Sequence, residues 1–98
     1  MKIRLHIALS LKDSIWNVMD VEKDLELDVL PNVGDEIEDT GFIFKVENRS
    51  FNTSKNCADI YLQDWEFLNK EVKTDALERM EKSGWIYRDP VVYPLSKL

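Results

Sequence analysis

The chain has 98 residues, 13 basic against 19 acidic side chains, a net charge of −6 and a single cysteine. This length suits one domain with its own core, and one cysteine excludes an internal disulfide, so an oxidising compartment is not indicated. The negative charge argues against direct binding to nucleic acid or to an anionic membrane.

The chain begins with alternating polar and apolar residues, and the apolar side chains that share one face are Ile3, Leu5, Ile7 and Leu9. This period of two predicts a half-buried strand over Lys2–Leu11. The stretch is not a signal peptide, because charges interrupt it and no small-residue cleavage site follows. No apolar run approaches the roughly 20 residues that cross a bilayer. We therefore expect a cytoplasmic protein without a membrane span.

A second alternating stretch covers residues 20–30, with acidic side chains on one face and mostly apolar ones on the other. It predicts a second strand, in which Lys23 is the one charged residue on the inward face. We expect residues 12–19 to extend one or the other of these two strands. Antiparallel pairing through a seven-residue loop would bring opposite charges together: Lys2 with Asp28, Arg4 with Glu26 and His6 with Asp24.

Turn signals separate the strands that follow. Pro31–Asp35 and Thr40–Gly41 contain the proline and glycines that turns require, and the short acidic stretch 36–39 lies between them. A third strand is marked by Phe42, Phe44, Val46 and Phe51. Its parity changes near Asn48–Ser50, which indicates a β-bulge. A fourth strand has an inward face of Ala58, Ile60 and Leu62.

Beyond residue 68 the apolar period changes to that of a helix. Asp75 and Glu78 have the spacing of a capping box, and Gly84 is placed to end the helix. The predicted helix spans residues 69–84, with a core of about 74–83, and its apolar residues at helical spacing are Val72, Ala76, Leu77 and Met80. Residues 85–98 are apolar and contain two prolines, so we expect an extended tail packed on the rest of the protein or on a second copy.

These elements predict a single α+β domain over residues 1–98. Residues 1–68 would form a small, strongly bent antiparallel sheet or SH3-like barrel of about five strands. One C-terminal helix would follow in residues 69–84, and an extended C-terminal segment in residues 85–98.

One motif has a counterpart in a known group of folds. The stretch Pro31-Asn32-Val33-Gly34-Asp35-Glu36-Ile37 precedes Phe44-Lys45-Val46 and Ile60-Tyr61-Leu62. It resembles the Pro-x-x-Gly-Asp-x-Ile turn of small SH3-like barrels in bacterial and phage proteins. The resemblance covers residues 29–63 and implies a barrel fold, but it implies no activity.

No pattern of catalytic or metal-binding residues stands out, and no cofactor is predicted. His6 and Cys57 are the only residues of their types. Because His6 lies on an outward strand face and Cys57 at the start of a strand, a nucleophilic pair is not favoured. The alternating acids from Asp20 onward fail the EF-hand pattern, because glycine and glutamate are absent from its sixth and twelfth positions.

The placement of charge is the most informative feature. Residues 20–39 contain nine acids and one base, a net charge of −8, whereas the other 78 residues sum to +2. The simpler interpretation is a solvated strand face. The functional interpretation is a docking surface for a basic protein, because surface charge steers association and sets partner choice. The candidate face consists of Glu22, Asp24, Glu26, Asp35, Glu36, Glu38 and Asp39.

Two functions remain open. The first is a non-enzymatic interaction module, for example a phage or mobile-element inhibitor whose carboxylates take the place of nucleic-acid phosphates. The second is a small-ligand-binding module or minor enzyme that uses an aromatic-lined barrel mouth. A concave polar site containing His6 or Cys57 would favour the second, and a convex acidic face over a filled interior would favour the first. The aromatic C-terminal segment also leaves a homodimer open.

Overall fold

The computed structural model describes residues 1–12, 19–89, 91–93 and 95. Within these residues the chain forms eight strands and one helix: β1 (Lys2–Leu11), β2 (Met19–Glu26), β3 (Glu36–Asp39), β4 (Phe42–Asn52), β5 (Cys57–Leu62), β6 (Trp65–Phe67), α1 (Lys70–Lys82), β7 (Ile86–Asp89) and β8 (Val91–Tyr93). The bounds of β1 are those predicted. Residues 13–18, predicted to extend β1 or β2, lie outside the described residues.

More strands form than the five or so predicted from the sequence. β3, β6, β7 and β8 have only three or four residues each. Alternation is hard to recognise over so few positions, since it needs about four to eight residues to stand out. β2 ends at Glu26, earlier than predicted, and the chain then runs through the Pro31–Asp35 turn into β3.

β1 lies at the centre of a mixed sheet. The strand order is β3-β4-β5-β1-β2-β7-β8, and β6 pairs with the end of β1 that extends beyond β5. β5 and β6 run parallel to β1, whereas the other pairs are antiparallel. The predicted all-antiparallel sheet is wrong here, because short turns set the direction only of consecutive strands.

The sheet is not closed within the described residues, since β3 and β8 end the strand order without pairing to each other. A small α+β domain with a mostly stranded sheet and one C-terminal helix is therefore confirmed. The SH3-like barrel is not confirmed.

β1 and β2 pair antiparallel as predicted, but the register differs by two residues from the predicted one. The observed partners are Lys2 with Glu26, Arg4 with Asp24 and His6 with Glu22. A shift of two leaves every side chain on its predicted face, so alternation alone does not distinguish the two registers. The observed register places the Arg4 guanidinium directly beside the Asp24 carboxylate, where the two form hydrogen bonds.

The inward side chains of the sheet and one face of α1 form a single core. Its fully buried members include Ile3, Leu5, Ile7, Leu9, Val21, Val46, Ile60, Phe67, Met80, Trp85 and Leu95. Full burial of one such aliphatic side chain stabilises the fold by about 1.5–3 kcal/mol. Aromatic rings fill the part of the interior near β4 and β6, where they contact one another: Phe42, Phe44, Trp65, Phe67 and Trp85.

β4 contains the predicted bulge. Its pairing with β5 shifts between Val46 and Asn48, which leaves Glu47 as the extra residue. Phe51, which marks the predicted third strand beyond the change of parity, lies in β4 but its side chain is 58% exposed. Polar groups occupy that end of the strand: Arg49 lies 6.0 Å from the Phe51 ring and donates hydrogen bonds to the 31–35 turn.

The ends of α1 are set by Asn69 and Gly84. The Asn69 side chain accepts a hydrogen bond from the Val72 N–H at 2.9 Å, so Asn69 is the N-cap. The predicted capping box at Asp75 is wrong, because Asp75 lies inside the helix and an earlier cap was available. Gly84 has a φ of +99°, as predicted for the residue that ends the helix.

The chain after α1 folds back through a Schellman motif. Gly84 N–H donates to the Glu81 carbonyl and Trp85 N–H to the Met80 carbonyl, both at 3.1 Å. The following residues form β7, which pairs with β2, and β8, which pairs with β7. The tail is therefore extended and joins the sheet, and Leu95 beyond it is buried in the core.

Candidate functional site

The outer face of the sheet, meaning the face opposite the core, carries polar side chains across its central strands. Because alternation turns the apolar residues of β1 inward, it turns Arg4 and His6 outward. The strand ladders set further polar groups beside these two side chains: Glu22 and Asp24 on β2, and Asp59 and Tyr61 on β5.

His6 is the centre of this polar face. Its Nε2 lies 2.8 Å from Asp59 Oδ1, and its Nδ1 lies 3.7 Å from Glu22 Oε2. Its ring stacks on Tyr61, with centroids 4.8 Å apart and planes inclined by 16°. Both ring nitrogens therefore face carboxylates.

Arg4 lies next to His6 and holds two of the predicted acids. Its Nε is 2.7 Å from Asp24 Oδ1 and 3.9 Å from Glu22 Oε1. The hydrogen bond to Arg4 lowers the pKa of Asp24 below its usual range against the opposing effect of burial, and the same bond raises the pKa of Arg4. Arg88 Nη1, on β7, lies 2.8 Å from Glu22 Oε1. Glu22 and Asp24 are thus brought together, but cations of the same chain neutralise them.

A groove of about 400 Å³ opens on the outer face beside His6 and Tyr61. The rest of its lining mixes polar with apolar residues: Asp20, Glu47, Asn48 and Asp64 with Ile7, Ala8 and Leu62. Glu47 and Asn48 come from the bulge in β4. Carboxylates beside two rings suit a cationic group better than an anionic one.

Cys57 lies on the same face but away from His6. In the parallel pairing of β1 with β5, Cys57 lies opposite Lys2, whereas Tyr61 lies opposite His6. Four residues along the strand correspond to about 13 Å, which is too far for a thiolate–imidazole pair. Within the described residues, no group of three or more histidine, cysteine, aspartate or glutamate side chains is placed to hold a metal ion. The described part of the chain also has no helix long and apolar enough to cross a membrane.

The remaining predicted acids lie on or near other strands. Glu26 is exposed at the end of β2, with the N-terminal ammonium 3.5 Å away. Asp35 belongs to the turn before β3, where its carboxylate accepts a hydrogen bond from Asn32 N–H at 2.8 Å. Glu36 and Glu38 are exposed on β3, opposite Lys45 and Ile43 of β4. Three strands separate β3 from β2 in the sheet order.

Asp39 differs from the other predicted acids because its carboxylate is engaged inside the fold. It accepts hydrogen bonds from Lys23 Nζ at 2.8 Å, Thr40 Oγ1 at 2.6 Å and Trp85 Nε1 at 2.7 Å. Burial opposes its ionisation, but these three bonds together outweigh burial and hold the pKa of Asp39 below its usual value. Asp39 is therefore a structural residue, and we leave it out of the surface proposed below.

Sequence reasoning missed the group formed by His6, Asp59 and Tyr61. The three meet because β1 and β5 pair in parallel, more than fifty residues apart in the chain. The one available signal is parity: Asp59 and Tyr61 alternate with inward residues of β5, so both had to point outward. Comparison of the chain with models of protein families, with curated proteins and with solved structures gave no match.

Proposed function

We propose that the protein is a non-enzymatic interaction module that binds a basic protein through its acidic surface. The observation that supports this is a surplus of acids that the fold leaves unneutralised. Among the described residues, no cationic group lies within 4.0 Å of five exposed acids of the segment 20–39: Asp20, Asp28, Asp35, Glu36 and Glu38.

The charge of the whole chain points the same way. A net charge of −6 repels nucleic acid and anionic lipid surfaces and attracts a basic protein. Exposed charges of this kind mainly raise the association rate and select the partner, while a few desolvated contacts hold the complex. Binding should therefore weaken steeply between about 50 and 300 mM salt, as the Debye length falls from about 14 to 6 Å.

A pair of charge-matched variants tests the proposal. In the first, four unneutralised acids away from the groove beside His6 are replaced: Asp28→Asn, Asp35→Asn, Glu36→Gln and Glu38→Gln. In the control, four exposed acids outside the segment are replaced: Glu66→Gln, Glu71→Gln, Asp75→Asn and Glu78→Gln. Both variants lose four negative charges, so only the position of the charge differs between them.

The readout is capture of partners from the native host by each variant at low and high salt. We expect the wild type and the control variant to retain a basic protein that the first variant loses. Circular dichroism melting curves check that both variants are folded. If both variants capture the same protein equally well, or if the captured protein is acidic, the acids of segment 20–39 serve only solvation and the proposal is wrong.

A second candidate function rests on the groove beside His6. Its concave shape and the polar groups that line it favour a small-ligand site, whereas an interior filled by aromatic rings in mutual contact favours an interaction module. A ligand there would shift the NMR signals of the His6 and Tyr61 rings. Small amines and guanidines can be screened by monitoring those NMR signals. The screen separates the two functions, because a basic protein that docks on β3 would leave the signals of both rings unchanged.

A further inference from the structure

The hairpin of β3 and β4 defines which backbone groups of β3 are already used. Thr40 and Gly41 form its two-residue turn, and both have positive φ, 61° and 81°. This is the type I′ geometry, in which the residues that flank the turn form a hydrogen-bonded pair. Asp39 and Phe42 are that pair. Hydrogen-bonded and non-bonded pairs then alternate along the antiparallel ladder.

Counting back from the turn assigns the backbone groups of the other β3 residues. Ile37 forms the next hydrogen-bonded pair with β4, whereas Glu36 and Glu38 occupy the non-bonded pairs. The N–H and C=O groups of Glu36 and Glu38 therefore point to the other edge of β3. β3 is the terminal strand of the sheet, and no described residue pairs with that edge.

The side chains of the same two residues are also available. Glu36 and Glu38 are exposed, and no described cationic group lies within 4.0 Å of either carboxylate. The Asp39 end of the strand is occupied differently, since Lys23 and Trp85 bind its side chain. The segment Glu36–Glu38 thus combines unpaired backbone groups with unneutralised negative charge.

We infer that this edge of β3 accepts an extended segment of the basic partner as an additional strand, an inference that rests on the function proposed above. In strand addition the backbone hydrogen bonds provide affinity and the alternate side chains provide specificity. Side chains opposite Glu36 and Glu38 would share their face, so lysine or arginine fits there. The residue between them would lie beside Ile37, which is half-buried against the core, so it should be apolar.

The expected partner segment therefore reads basic–apolar–basic. A second copy of this chain does not fit, because pairing of two β3 strands would set glutamates against glutamates. Like charges directly opposite each other destabilise a strand pair. The same acids that attract the partner thus guard the edge against self-association.

The test uses two synthetic peptides and the full chain labelled with ¹⁵N. The probe is acetyl-Thr-Lys-Val-Arg-Val-Thr-amide. The control peptide has the same sequence with the backbone nitrogens of its lysine and arginine methylated, which keeps the charge and removes the donors. Solvent exchange of the Glu36 and Glu38 amides is measured by NMR. We expect about tenfold slower exchange at ten times the Kd of the probe, and no slowing with the control peptide.

Variants separate strand addition from charge attraction. Glu36→Lys combined with Glu38→Lys should abolish the slowing, whereas the charge-matched control Glu26→Lys with Glu78→Lys, at exposed sites on β2 and α1, should retain it. If both peptides bind equally and neither slows exchange, strand addition is wrong while the acidic surface still binds. If, in the absence of peptide, exchange of the Glu36 and Glu38 amides becomes slower as the protein concentration rises, the edge pairs with a second copy of the chain and the inference is wrong.

Discussion

Lys23 Nζ lies 2.8 Å from Asp39 Oδ1, and this contact joins β2 to β3 although three strands lie between them in the sheet. Trp85 Nε1 donates to the other oxygen of the same carboxylate at 2.7 Å. One side chain thus connects two distant strands and Trp85, which lies between α1 and β7. It also explains why a lysine is tolerated on the inward apolar face of β2: its ammonium group pairs with the Asp39 carboxylate.

Removal of the Asp39 carboxylate should destabilise the fold. We expect Asp39→Ala to lower the free energy of unfolding by about 2–3 kcal/mol, because the Lys23 ammonium and the Trp85 N–H lose a charged acceptor while partly buried. Urea denaturation measures the change. Glu38→Ala, one residue earlier and exposed, is the control and should alter stability by less than about 0.5 kcal/mol. Equal stability of the two variants would contradict the role given to Asp39.

Acid should weaken the protein through the same residue. Since the pKa of Asp39 is lower in the folded than in the unfolded chain, its stabilising effect is complete above the unfolded value of about 3.9 and is lost as the pH falls through the folded value. Tm should therefore drop as the pH falls below about 4. Asp39→Asn should flatten that drop without removing it, because the pKa of Asp24 is lowered too. Asp28→Asn should keep the wild-type slope.

The N-cap of α1 offers a direct comparison between two candidate residues. Asn69→Ala should destabilise the protein by about 1 kcal/mol, because the Val72 N–H loses its side-chain acceptor. Asp75→Ala should have little effect, since Asp75 lies in an exposed helical position where alanine is well tolerated. Thermal and urea melts of both variants measure this. A larger loss in Asp75→Ala would restore the capping box predicted from the sequence.

The cost of substituting Gly84 should depend on how readily the new residue adopts a positive φ, because there is space for its side chain. A Cβ at this position would meet nothing closer than Lys23 Cε at 3.8 Å, but the φ of +99° strains residues that have a side chain. Gly84→Ala should cost about 1 kcal/mol and Gly84→Val more. Gly84→Asn should cost less than either, because asparagine enters the left-handed region more readily. Equal unfolding midpoints for the three variants would show that the Schellman turn does not limit stability.

Local patterns predicted the elements that depend on local rules. β1 is long and alternates without interruption, and the bulge in β4 and the glycine after α1 each leave a mark in a few consecutive residues. The parallel pairing of β1 with β5 leaves no such mark, because it depends on how the inward faces of distant strands pack together. The two-residue error in the β1–β2 register has another origin, since a shift of two keeps every side chain on its face and alternation does not distinguish the two registers.

The candidate acids were predicted by type and count, and the sequence could not tell which of them the fold would neutralise. In the sequence, nothing distinguishes Glu22 and Asp24 from Glu36 and Glu38 as acids without a cationic partner. In the structure, Arg4 and Arg88 come from β1 and β7 to pair with the first two. Asp39 likewise finds Trp85, 46 residues away. These pairings are long-range, so no local pattern distinguishes a structural carboxylate from an available one.

The central position of β1 has a consequence for the order in which the protein is made. β1 is synthesised before β5 and β6, which begin at residues 57 and 65, so one of its edges can pair with β2 while its other edge has no partner. Until then, the side chains of β5, β6 and α1 that share the core with β1 have not been made. Topologies of this kind fold slowly, because distant segments must meet before any contact rewards them. β1 is therefore exposed until its later partners are made, and its apolar side chains need protection from aggregation during synthesis.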